Sequence, residues 1–227
     1  DSGDPDVVLP TCMRPGAPTG IEERVGPCGI FPLLAEGESG YPDFPLSYLY
    51  DGHSDYTGMA DSPAGDEVLK NLVDLGYVVR LDDEASLSTF LDGQAPGMCN
   101  IALITTVKNH ITKHRLILDC KVSGSNTAAA RDERILLPWA WDAVRGSLYF
   151  VSSRRPGEGV KYIVLDFKDA FYKVPIISKE VKYYVAKYKE SFFAWVRLPQ
   201  GSVNGPTIWG MVSAFTARCT QALANTD

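Results

Sequence analysis

Histidine is scarce in this sequence: the 227 residues include 3, and the 5 cysteines (Cys12, Cys28, Cys99, Cys120 and Cys219) form no CxxC pair. Clustered zinc ligands are therefore not indicated, and an odd, scattered cysteine set gives no disulfide framework. A reducing compartment, cytoplasmic or nuclear, is the expectation. No apolar run reaches the roughly 20 residues of a membrane-spanning helix, and the acidic start lacks the basic region of a signal peptide. The initiator methionine is missing as well: the chain begins at Asp1, as expected of a processed product or a piece of a longer reading frame.

Cations are also scarce, but only in the front half. Residues 1–99 carry 4 Lys/Arg against 18 Asp/Glu, net −14, whereas residues 100–227 carry 18 against 10, net +8, which together give the overall −6. The acidity thus belongs to the front of the chain. A basic half behind an acidic one points to a polyanionic partner for the basic half, although a solvated mixed surface explains the charge alone equally well. With 45% hydrophobic residues, the chain can bury a real core.

Residues 1–62 are rich in Gly, Pro, Asp and Ser, show no period, and read as an extended or disordered acidic arm. Periodic segments begin after it. "AGDEVLKNLVDLGY" places Val68, Leu69, Leu72, Val73 and Leu75 on one helical face and stops at Gly76. A short strand "YVVRL" and a second helix "DEASLSTFLDG" follow. "NIALITTVK" and "HRLILDCKV" predict a β-hairpin around the polar "NHIT", and "LPWAWDAVRGSLYF" predicts a helix with Pro138 near its first turn. "VKYYVAKYK" and "FFAWVRLP" predict another hairpin. The last periodic segment, "NGPTIWGMVSAFTARCTQAL", predicts a helix capped by Asn204, with Ile208, Met211, Val212 and Phe215 at core spacing.

Tyr162, Ile163, Val164 and Leu165 form a β-favouring run that ends at Asp166, which predicts an acid at the buried end of a strand. A buried carboxylate needs a partner, a proton or a metal ion. Three residues on, Asp169 could equally cap a short turn.

In order, "KHRLILDCKVSGSN", "VLDFKDAFYKVP" and "FAWVRLPQGSVNGPTIWG" resemble three consecutive blocks of the reverse transcriptases of retroviruses and retrotransposons. Each block is weak alone; the order, spacing and intervening helices carry the resemblance, which covers roughly residues 64–224. It implies an α+β fold, the fingers and partial palm of a right-hand polymerase, with fingers from residues 63–140 and 177–204 and palm from 141–176 and 205–227. It also implies an RNA-directed DNA polymerase, a nucleotidyltransferase of a retroelement that acts with Mg²⁺ (or Mn²⁺) on an RNA or DNA template–primer duplex and deoxynucleoside triphosphates, as part of a larger polyprotein.

Carried over residue by residue, the resemblance makes Asp166 a catalytic metal ligand and gives the Phe167 carbonyl a second metal oxygen, as two-metal phosphoryl transfer requires. Asp169 and Ala170 match positions whose backbone amides meet the triphosphate. Phe171 matches the ring beneath the sugar, where it leaves no room for a 2′-hydroxyl. Lys113 and Arg115 match the basic pair on the triphosphate, with Lys108 an alternative to Lys113; Gln200 and Gly201 match the nucleotide-contacting turn. Asp119 is expected to pair with a nearby cation. The aromatic residues Tyr183, Tyr184, Tyr188, Phe192, Phe193 and Trp195 are read as core, with stacking on template bases as the alternative. The family's second acidic block, an aromatic residue and any residue before Asp-Asp, has no match in these 227 residues. The chain alone is therefore expected to be inactive, and a non-catalytic nucleic-acid-binding remnant is the alternative reading.

Overall fold

The computed structural model describes residues 6, 9–35, 38, 56, 58–59, 61–155, 157–162, 164 and 166–224. Helix α1 is Leu9–Met13, and α2 is Pro63–Asp74. The Ser62 side chain caps α2 by accepting from the Gly65 amide, Pro63 occupies the first turn, and Leu69 and Leu72 are buried. Strand β1 (Val78–Leu81) and helix α3 (Glu84–Phe90) follow, the latter capped by Asp83.

Strands β2 (Asn100–Lys108) and β3 (Ile111–Asp119) form the expected hairpin. Its turn is tighter than the sequence suggested. Asn109 and His110 alone reverse the chain, both at positive φ, 52° and 62°, as a two-residue turn matched to strand twist requires. Strands β4 (Val185–Tyr188) and β5 (Ser191–Trp195) pair antiparallel, and β1 joins the far side of β5, in the order β1-β5-β4. Alternating faces cannot be told apart on β5: all five of its residues are buried. Tyr183, Tyr184, Tyr188, Phe192, Phe193 and Trp195 all lie in this core, so none is free to stack on a base.

Helix α4 is Ser125–Ala128, α5 is Ala140–Ser153 and α6 is Gly205–Ala224. Ile208 and Met211 of α6 are buried, with Val212 and Phe215 packed against the same cluster. Asn204 stands at the head of α6, where its carbonyl accepts from the Ile208 amide. Its side chain, however, turns away from the helix. It donates to the Thr19 carbonyl at 2.9 Å and accepts from Arg131 at 2.9 Å.

One finding adds to the sequence reading and a second corrects it. Residues 14–34 run as an extended strap held on the core; residues 1–5 and 39–55 lie outside the described residues. The strap pairs with two segments: Ala17 with residues 175 and 177, and Val25 with residues 130 and 132. Two buried carboxylates then gather its amides. Glu180 accepts from Thr19 N at 2.5 Å, from the Thr19 hydroxyl, and from Glu22 N and Glu23 N at 2.9 and 2.8 Å. Glu133 accepts from Gly29 N at 2.8 Å and from the Cys28 thiol at 2.9 Å. Burial and this carboxylate push the Cys28 thiol up to about 11. Composition missed the strap because its hydrogen bonds go to residues more than 100 positions away, and no local period records such pairing.

The correction concerns the run at 161–166: its described residues, 161, 162, 164 and 166, are in no strand. Val164 is 91% exposed and Asp166 is exposed as well, while Ile163 and Leu165 lie outside the described residues. A strand needs a ladder partner, and no described strand lies beside this run. For the same reason α5 forms but buries none of its residues, leaving Trp139, Trp141, Leu148, Tyr149 and Phe150 exposed.

The strap carries a pH dependence. The Lys182 ammonium, aided by the Tyr183 hydroxyl, holds the Glu22 carboxyl below its ordinary value. A depressed native pKa contributes stability above the unfolded value, about 4.3, and that contribution disappears as pH falls through the native value. Urea denaturation of the wild type should therefore lose midpoint below about pH 4, and Glu22→Gln should remove part of that slope. Identical pH profiles for the two proteins contradict the assignment.

Candidate functional site

One cleft of about 840 Å³ lies between the β2–β3 hairpin, helix α2 and residues 166–172. Hairpin register decides which cations face it. Arg115 lies opposite Ile104, Lys113 opposite Thr106, and Lys108 two rungs further on, opposite Ile111. Alternation puts all three cations on the same face of the hairpin. Lys113 and Arg115 line the cleft, and Lys108 does not. Neither Lys113 nor Arg115 makes an ion pair among the described residues, and both are exposed. Two cations without ion pairs, beside an open cleft that also holds Lys168, Asp166 and Asp169, can attract an anion.

On the facing wall lie Asp166, Phe167, Lys168, Asp169, Ala170 and Phe171. The Phe167 ring packs edge-on against Trp209 of α6 at 5.1 Å between centroids, which ties this turn to the long helix. Asp169 takes the left-handed conformation, φ 57°, and leads into a 3-10 turn over Phe171–Lys173. Phe171 is half-buried: it lines the cleft, and its ring edge lies where a Cβ on Gly205 would be 3.5 Å away. Beneath it Tyr172 stacks on Tyr77 with centroids 5.1 Å apart, and burial, together with the charge of Asp169, pushes the Tyr172 phenol up to about 12.

Gln200 closes the cleft at one end. Its carbonyl accepts from the Leu118 amide of β3 at 2.8 Å. Gly201, the one expected site residue outside the lining, has φ 122°, and a Cβ there would sit 1.9 Å from the Leu118 carbonyl oxygen. The glycine is required by close approach to β3. Asp119 pairs with no cation among the described residues: the Tyr56 hydroxyl donates to it at 2.5 Å and the Lys121 amide at 2.9 Å, and this carboxylate raises the Tyr56 phenol. Val68, Asn71 and Leu72 of α2 also line the cleft. Sequence reading gave Val68 and Leu72 a core face and did not single out Asn71, the polar residue beside Leu72 that was the available signal.

A resident pair of divalent ions does not fit these residues. Mg²⁺ prefers six oxygen ligands, and the cleft offers the carboxylates of Asp166 and Asp169, the first of them exposed. Among the described residues no three His, Cys, Asp or Glu side chains converge. No described helix is long and apolar enough to cross a membrane.

No family model matches the chain, and no curated protein sequence matches it. Among the solved structures similar to it in part are two protease–reverse transcriptases. One is a foamy viral protease–reverse transcriptase (dRH) in complex with double-stranded DNA, at 16% identity and TM-score 0.42, covering 84% of this chain and 29% of that one. The other is a foamy viral protease–reverse transcriptase in complex with double-stranded DNA, at 17% identity and TM-score 0.38, covering 84% of this chain and 34% of that one. The chain thus spans about a third of the length of the solved chains it matches.

Proposed function

We propose that the chain is the nucleotide-binding part of an RNA-directed DNA polymerase. In this reading the cleft receives the triphosphate of a deoxynucleotide, and the basic half holds the template–primer duplex. The observation that carries it is the convergence, in one cleft, of unpaired Lys113 and Arg115 with the Asp166–Phe171 turn and Gln200. Arg115 offers a planar fork to two phosphate oxygens and Lys113 a point charge. Phe171, braced by the first turn of α6, presents a flat surface for the sugar. The donor set is too small for two metal ions, so the chain by itself binds and does not catalyse.

Titrating the chain with a labelled template–primer duplex at several ionic strengths tests this reading. Affinity should fall steeply with salt, because each phosphate contact releases counterions and adds roughly 0.9 to the logarithmic slope. The same preparation should not extend the primer with Mg²⁺ and deoxynucleotides present. Salt-independent duplex binding, or extension abolished by Asp166→Asn, contradicts the proposal.

A further inference from the structure

The turn that carries Gln200 is held by a residue that does not line the cleft. Asn126, near the start of α4, donates from Nδ2 to the Gly201 carbonyl at 2.9 Å, and its Oδ1 accepts from the Val203 amide at 2.9 Å. The partners fix the amide orientation, since one is a pure acceptor and the other a pure donor. The side chain behaves as a surrogate strand across residues 201–203. Its own backbone is anchored where β3 ends, through Asn126 N to the Cys120 carbonyl at 3.1 Å. The Gln200 carbonyl is tied to the Leu118 amide of the same strand. Asn126 and β3 therefore grip the turn from two sides, and β3 is the strand that bears Lys113 and Arg115.

Resting on the nucleotide-cleft reading, we infer that Asn126 is a positioning residue that sets Gln200 in register with Lys113 and Arg115. It touches no nucleotide itself. Gly201 has no side chain to restrict the turn, so the direction of Gln200 depends on these two hydrogen bonds. A ligand that spans both the basic pair and Gln200 senses their loss; one that contacts only the basic half does not.

The test is titration of a fluorescent deoxynucleoside triphosphate and of a duplex with wild type, Asn126→Ala, Gln200→Ala and the double variant. Asn126→Ala should weaken nucleotide binding by about tenfold, the worth of one or two hydrogen bonds, while leaving duplex affinity unchanged. If Asn126 acts through Gln200, the double variant should bind no more weakly than Gln200→Ala. Asn126→Asp, which keeps the acceptor for Val203 N–H and loses the donor to Gly201, should fall between wild type and Asn126→Ala, and it serves if the alanine variant does not fold. Without any nucleotide, the Gln200 side-chain amide resonance should shift in both Asn126 variants. A lowered melting temperature with unchanged nucleotide affinity overturns the inference, as do full additivity with Gln200→Ala and an unshifted Gln200 resonance. Failure of the underlying cleft reading looks different: Arg115→Ala would then bind nucleotide as wild type does, whatever Asn126 does to the resonance.

Discussion

Gly201→Ala should destabilise the chain by about 3 kcal/mol or more, through both backbone conformation and overlap. The residue has φ 122°, where an L side chain is strained, and its new Cβ would meet the Leu118 carbonyl oxygen at 1.9 Å. Relief requires residues 200–202 to move off β3, which breaks the bond from Leu118 N to the Gln200 carbonyl. Stability and site geometry should therefore fail together. Chemical denaturation gives the first readout and nucleotide affinity the second; an alanine variant with wild-type stability contradicts the described packing of this turn.

The strap supplies the second large effect. Glu180 is fully buried, and its two oxygens accept four hydrogen bonds from Thr19, Glu22 and Glu23. Glu180→Ala leaves three backbone amides and a hydroxyl without their acceptor. With unsatisfied buried donors costing about 1–3 kcal/mol each and part of the strap able to reach water, a loss of about 3–5 kcal/mol is expected. The strap should also become the first site of limited proteolysis. Glu180→Gln, isosteric but uncharged, keeps one acceptor oxygen and should lie between the alanine variant and wild type. A strap as resistant to protease in Glu180→Ala as in wild type shows that the carboxylate does not hold it.

These two positions also mark what could be read from the sequence. Gly201 was legible as a turn glycine before a helix, whereas its close neighbour, the Leu118 carbonyl of β3, was not. Glu180 was not legible, because its partners lie more than 150 positions away and nothing about an isolated glutamate announces four donors. The local elements followed their signals: α2 its apolar stripe and proline start, the two hairpins their β-branched and aromatic runs. The run at 162–165 carried an equally good strand signal, yet its described residues, 162 and 164, are in no strand. Local preference supplies the backbone's readiness to extend, but a ladder takes a second strand at the right place, a tertiary fact. Asp166 is consequently exposed rather than buried, which changes its chemistry from a carboxylate in need of a partner to one already solvated.

Of the expected site residues, Lys113, Arg115, Asp166, Phe167, Asp169, Ala170, Phe171 and Gln200 line one cleft, although the chain separates the first from the last by most of the basic half. The register places Lys108 on the same face of the hairpin, beyond the cleft.

The measurement that bears most directly on the cleft is titration of a fluorescent deoxynucleoside triphosphate into wild type, Arg115→Ala and Lys113→Ala at one fixed ionic strength. A charge-assisted bond is worth about 1.5–3 kcal/mol, so Arg115→Ala should weaken binding by about tenfold to a hundredfold and Lys113→Ala by less, since it gives up a point charge rather than a fork. Saturable binding with that order of effects is the predicted result. Equal affinity in all three proteins, or no saturable binding by wild type, contradicts the account.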